Sequence, residues 1–228
     1  MRPAGKATED AFLPYNYHAD VIGHYWPRVM EERLDFQFVL LEGDEIVARG
    51  CTVPVRWNGE DDDLPDGIDG AITRSFENDA ANVLCAMLIA IPRAHRGRHV
   101  STDALAAMVG LARRHGLGSL IAPVRPSWKE RYPLVPIDRY AAWRRDDGSS
   151  FDPWIRIHER FGGRILRPEP RSARITGTVG EWEEWTEMAF PESGEYVFPG
   201  CLATLEIDRD GDVGRYWEPN VWMRHEVA

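Results

Sequence analysis

The sequence predicts an α/β (α+β) fold: a mixed central sheet flanked by helices, with an extended strand-rich part towards the C-terminal end. Three observations carry this. Val83 to Ile91 is an apolar run of strand length, closed by Pro92, which has no N–H to give a ladder. Leu105, Met108, Val109 and Ala112 then recur at helical spacing. A second apolar run, Leu117 to Val124, follows directly, so strand, helix and strand succeed one another between Asn82 and Arg125.

The other elements follow in order. Residues 1–17 are polar and proline-containing and read as a flexible N-terminal arm; residues 18–228 read as a single domain. His18 to Leu34 carries Val21, Ile22, Tyr25, Trp26, Val29 and Met30 at helix-like spacing, with Pro27 expected to divide it. Tyr15, Tyr17, His18 and His24 either face a substrate or simply pack. Phe36 to Leu41 and Ile46 to Trp57 form a hairpin around Gly43 and Asp44. The acidic run Gly59 to Gly67 lacks ordered ligand spacing and reads as a solvated loop. Ile68 to Asp79 is a short helix leading into the central strand.

Beyond the second parallel strand, Pro123 to Trp143 holds four prolines and four aromatics. A long regular helix is excluded there, and a structured loop over the strand ends is expected, part of an insertion around 126–150. Ligands of open α/β sheets bind at strand ends, so Arg125, Ser127, Lys129, Arg131, Tyr132 and Tyr140 either line a pocket or form a packed lid. Asp152 is placed to cap a helix that opens with Pro153 and stops at Gly162 and Gly163. The extension 164–228 begins with strand-like Arg164 to Glu169 and Arg174 to Val179. A short helix carrying Trp182 and Trp185 follows, then strands from Tyr196 to Trp222 around a polar turn.

Composition excludes several classes. The net charge is −10 and the pI about 5.2, which leaves no overall footprint for nucleic acid. No apolar stretch approaches the roughly 18 residues of a membrane span, and the first residues lack a secretory core, so a cytoplasmic location is expected. Cys51, Cys85 and Cys201 are isolated and read as buried thiols without disulfide or metal spacing. Of 27 basic residues only Lys6 and Lys129 are lysine, a bias suggesting a high-GC bacterial genome. HExxH, GxSxG and Walker patterns are absent from the sequence.

Chemistry enters at the basic turn Arg93 to His99. A helix beginning near Ser101 presents unpaired N–H groups and its positive dipole end to an anion. Ser101 or Thr102 is placed to cap it, Asp103 suits its first turn, and Arg93, Arg96 and Arg98 add three cations. The plainer alternative is an ordinary crossover with solvated arginines.

Ile91 to Ser101, IPRAHRGRHVS, resembles the acetyl-CoA signature of GCN5-related N-acetyltransferases (GNATs), an apolar strand end followed by R/Q-x-x-G-x-G/A. Arg96 takes the first position, His99 that of the middle glycine and Ser101 that of the final small residue. Ile157 to Gly163, IHERFGG, resembles the family's LYEKLGF segment, with His158 at the tyrosine that protonates the departing thiolate. The resemblance spans Phe36 to Gly163. It implies a GNAT-like sheet and an acyl-CoA-dependent acyltransferase, an N-acetyltransferase in the first instance, acting on a small-molecule amine by direct transfer. It further implies acetyl-CoA or another acyl-CoA held by Ile91, Arg96, Gly97, Arg98, His99, Val100, Ser101 and Thr102, and His158 as acid; it assigns no base, since Val83 to Ile91 holds no carboxylate, and Glu130, Asp138, Glu77 and water are the candidates. Arg125, Ser127, Tyr132 and Tyr140 are then the acceptor residues, and a homodimer paired through sheet edges is an option. Two alternatives stand beside it: a GNAT-like binding or regulatory module without catalysis, and a specialised-metabolite enzyme on the same scaffold.

Overall fold

The computed structural model describes residues 8–77 and 80–227. Its strands join into one mixed sheet. β1 (Gln37–Glu42) and β2 (Glu45–Val55) form the expected hairpin, turning at Gly43, whose positive φ of 60° suits glycine. β3 (Val83–Ala90) lies antiparallel to β2, and β4 (Ser119–Val124) runs parallel to β3. The long β8 (Val213–Glu226) then pairs antiparallel with β4 through its residues 221–226. Where β4 ends, β7 (Leu205–Asp208) takes up the same edge of β8, with β6 (Gly194–Tyr196) outside it. β5 (Arg164–Gly177) covers the opposite edge.

Helices cover both faces. α1 (Asp20–Glu32) and α2 (Gly67–Glu77) pack on one, around Val53, Cys85, Met87, Ile121 and Trp222. α3 (Val100–Arg114) packs on the other against Leu84 and Leu120. Beside it, α4 (Ile137–Ala141) and α5 (Pro153–Arg160) lie over Ala122, Val124, Val221 and Met223. α6 (Val179–Thr186) buries Trp182 with Tyr15, Phe198 and Tyr216 beneath the C-terminal strands.

The decisive feature is a seam. β3 and β4 share only the pairs Leu84↔Leu120 and Cys85↔Ile121. Two residues further on stands Pro123, which has no N–H to offer a neighbour. On its other side β3 slips register against β2, Cys51 pairing Leu88 and Thr52 pairing Ala86, so that Met87 is an extra residue in a bulge. The two strands therefore part towards their C-terminal ends, and the β3 edge from Met87 to Ala90 has no ladder partner in β4.

Three expectations are corrected. The arm expected over 1–17 lies outside the described residues for 1–7, but Pro14–His18 is a 3-10 turn that buries Tyr15. Pro27 sits inside an undivided α1, where the carbonyl its ring crowds is that of Gly23. The two segments expected in 164–179 are one strand, interrupted between Glu169 and Ala173 by a bulge.

Candidate active site

At the open end of the seam, Ile91 and Pro92 lead into a 3-10 turn, Arg93–His95, and then into α3. The helix starts one residue earlier than the sequence suggests. His99, not Ser101 or Thr102, is the N-cap, and it adopts the left-handed conformation at φ 63°. Gly97 is left-handed too, at φ 77°. The motif's glycine-type backbone is thus kept with an imidazole on it, at a cost of roughly 1–2 kcal/mol. Among the described residues no side chain caps the helix, the His99 ring included, and the N–H groups of Val100 and Ser101 lie in the first turn, ahead of any intrahelical acceptor.

The three arginines do not act together. Arg98 is taken by the hairpin, its Nη2 donating to both Glu42 oxygens at 2.9 and 3.0 Å and its Nη1 meeting His95 Nδ1 at 3.2 Å. His95 is buried and holds Glu45 through Nε2 at 3.0 Å. Arg98 therefore braces the loop against β1 and β2 and is not a free cation. The guanidinium groups of Arg93 and Arg96, exposed like that of Arg98, have no carboxylate partner among the described residues, and Arg96 makes a long bond to the Ile91 carbonyl at 3.4 Å. An open β3 edge, bare N–H groups at a helix start and two uncommitted guanidinium groups together fit the diphosphate and extended arm of a nucleotide thioester.

The residues expected for the acceptor are divided between two clusters. Ser127, Tyr132 and Tyr140 belong to a loop organised by Asp152. That buried carboxylate accepts from Trp154 N–H at 2.9 Å and Ile155 N–H at 3.2 Å, as the sequence predicts for a cap. It also accepts from Ser127 N–H at 3.3 Å, Trp128 N–H at 2.8 Å and the Tyr140 hydroxyl at 2.8 Å. Tyr140 is fully buried, and burial followed by the Asp152 charge raises its phenol well above the ordinary range; it is a core residue and not a pocket lining. Tyr132 packs with Tyr140, Trp143 and Phe151, and the Ser127 side chain is exposed. Lys129 is buried and donates to the carbonyls of Tyr132 at 2.8 Å, Pro133 at 3.3 Å and Leu202. Burial pulls its ammonium down to about 8.

Arg125 belongs to the second cluster. At the end of β4 it pairs through Nε with buried Glu218 of β8 and through Nη2 with the Tyr15 hydroxyl at 3.1 Å and Gly200 O at 2.8 Å. Its side chain remains 35% exposed.

His158 lies at the wrong end of the gap for an acid. It is buried on α5 and shares a 2.9 Å hydrogen bond, Nδ1 to Nε2, with His225. His225 pairs with Leu120, inside the closed part of the seam. Burial, then the neighbouring imidazole, holds His158 down to about 3, which favours the neutral ring over the imidazolium. Glu130, Asp138 and Glu77 are all exposed.

Asp69, in the first turn of α2, was missed. One carboxylate oxygen accepts Arg174 N–H at 2.8 Å; the other is buried without a partner among the described residues. No local signal marks it, because Arg174 lies 105 positions along the chain. Glu42, Glu45 and Glu218 were missed for the same reason.

A strand pair that opens beside an uncapped helix start defines an acyl-CoA-binding fold. The loading GNATL domain of CurA from Lyngbya majuscula matches 100% of this chain and 96% of its own at a TM-score of 0.60 and 14% identity. The GphF GNAT-like decarboxylase, in complex with isobutyryl-CoA, matches 99% and 97% at 0.56 and 16%. No family model matches the sequence. Arginine N-acetyltransferase avaD of Aspergillus versicolor is 32% identical over 236 residues, 89% of this chain and 81% of that protein. The chain belongs to the GCN5-related N-acetyltransferases and is an acyl-CoA-dependent acyltransferase acting on an amine.

Proposed function

We propose that this protein transfers an acetyl group from acetyl-CoA directly to a small cationic amine, arginine or a close analogue. The observation that carries the reading is the two-pair seam between β3 and β4 opening beside the uncapped start of α3. Arginine is suggested by the relative's name, and a net charge of −10 favours a cationic acceptor.

In this reading the N–H groups of Val100 and Ser101 hold the diphosphate, with Ile91, Arg96, Gly97, His99 and Thr102 around it, while Arg98 fixes the loop through Glu42. Backbone donors on the unpaired edge from Met87 to Ala90 polarise the thioester carbonyl, a preorganised effect that catalyses by stabilising developing negative charge. Arg125, two of whose guanidinium nitrogens are engaged, meets the acceptor's carboxylate. The attacking nitrogen sheds a proton as the C–N bond forms, and the departing thiolate takes one up, so direct transfer balances without His158 as acid.

The test is thiol release from acetyl-CoA in the presence of arginine, with mass spectrometry of the product. Acetylarginine formed at one equivalent per thiol released supports the reading. Hydrolysis without acceptor dependence, across arginine, lysine and simple amines, overturns it.

A further inference from the structure

We propose that residues 10–15 wall the acceptor end of the β3–β4 seam, with Tyr15 as a positioning residue that aims Arg125 at the acceptor's carboxylate; the assignment rests on the acceptor reading above. The seam opens where β3 ends at Ala90 and β4 at Val124, and the segment is tied at one end to the continuation of each strand. Asp10 Oδ2 accepts the N–H of Arg93, the third residue past β3, at 3.1 Å. The Tyr15 hydroxyl accepts from Nη2 of Arg125, the first residue past β4, at 3.1 Å. β3 and β4 are neighbours in the sheet, so the chain between these two ties crosses the space between the strand ends. Five steps of chain reach at most about 18 Å, which leaves no room for a long detour. Phe12 and Leu13 are extended, as such a crossing requires.

The crossing is firmly seated. Leu13 packs against the core beneath the C-terminal strands and lies on Gly200, where a Cβ would meet Leu13 Cδ1 at 2.2 Å. Gly200 is left-handed at φ 81°, which glycine adopts without strain. Its carbonyl accepts from the Tyr15 hydroxyl at 3.3 Å and from Arg125 Nη2 at 2.8 Å. Burial, then the Glu218 charge, pushes the Tyr15 phenol well above its ordinary range, so the hydroxyl keeps the proton it gives to Gly200.

The donors of Arg125 can be counted. A guanidinium has five N–H groups. The one on Nε goes to Glu218, which also takes the Tyr216 hydroxyl, and the pair on Nη2 goes to Tyr15 and Gly200. The pair on Nη1 has no partner among the described residues, and the side chain remains partly exposed. A guanidinium pinned at two nitrogens offers the third in a preset direction, and a carboxylate is the ligand that suits it. The acceptor selected in this way is an amine that also carries a carboxylate, as an amino acid does. At the far end Asp10 holds the same segment against the turn that leads into α3, which shields the end of the seam from water.

The experiment measures kcat and KM for arginine and for agmatine, which is arginine without its carboxylate, in wild type, Tyr15→Phe, Asp10→Ala and Asp10→Asn. Thiol release without acceptor, acetyl-CoA affinity by calorimetry and Tm are read alongside. Tyr15→Phe keeps the ring and loses both hydroxyl bonds. It should raise KM for arginine about tenfold with kcat within about threefold, leaving agmatine kinetics and acetyl-CoA affinity unchanged. Asp10→Ala releases the segment from Arg93, so kcat/KM for arginine should fall about tenfold while thiol release without acceptor rises as water reaches the thioester. Asp10→Asn, whose amide oxygen still accepts from Arg93, should stay within about twofold of wild type. A Tyr15→Phe variant that leaves the arginine KM in place or raises the agmatine KM equally overturns the proposal while the acceptor reading stands, as does an Asp10→Ala variant no different from Asp10→Asn. Should Tyr15→Phe fail to fold, the Asp10 pair, at an exposed residue, decides. A wild type inert towards arginine, or one that takes agmatine equally well, removes the acceptor reading itself, and this assignment with it.

Discussion

Two loops flank the open end of the sheet, and they are built on opposite plans. In the loop before α3 the backbone at the helix start is left unspent: His99 is left-handed, no side chain caps the helix among the described residues, and two of the three exposed arginines, Arg93 and Arg96, have side chains with no carboxylate partner there. In the loop from 125 to 152 the buried polar groups are consumed, five donors converging on Asp152 and three carbonyls on Lys129. The second loop has the residue types of a pocket and the bonding of a core. Residue type suggests chemistry; uncommitted atoms decide where it can happen.

Substitutions can break this contrast or sharpen it. Asp152→Ala strips one acceptor from five donors and should lower stability by about 3 kcal/mol or more, read by urea unfolding; a cost under 1 kcal/mol would mean the loop is not organised around it. Lys129→Met leaves three buried carbonyls without their cation and should cost about 2–3 kcal/mol, with acetyl-CoA affinity unchanged; a changed affinity with normal stability would return Lys129 to the site.

His158→Phe should spare turnover and change the pH dependence of stability. The folded imidazole is held down to about 3 from 6.5. Above 6.5 it therefore brings no proton-linked penalty, and as the pH falls from there towards 3 the unfolded chain binds a proton that the folded one refuses. Between pH 7 and 5 wild type should lose about 2 kcal/mol more than the variant. A His158→Phe variant with lowered kcat and parallel stability curves would restore His158 as the acid. The smallest effect belongs to His99→Gly, which relieves the left-handed backbone and should add about 1 kcal/mol, with a several-fold lower KM for acetyl-CoA. A raised KM would show the imidazole to be a ligand contact.

Local pattern carried far in this sequence. The apolar runs, the Asp152–Pro153 start and the Gly162–Gly163 stop are properties of neighbouring residues, and the strands and α5 lie where those signals put them. The basic turn ahead of α3 was legible for the same reason. What stayed hidden depends on partners distant in sequence. That Arg98 belongs to Glu42 is decided 56 positions away, and the His158–His225 bond spans 67. Tyr140 reads equally as a pocket lining or a packed lid until Asp152 is seen to hold it. Asp69 looks like any acid in a helix's first turn, and only the fold reveals that half of its carboxylate has nothing to bind.

Because β3 and β4 meet at just two residue pairs, the sheet is two leaves on a short hinge. α2 is the strap across them, touching β2 and β3 on one leaf and β5 on the other, and Gly67 is its buckle against Ser172. A methyl group there would run into the Ser172 backbone, so the seating of the strap on the second leaf depends on a residue with no side chain.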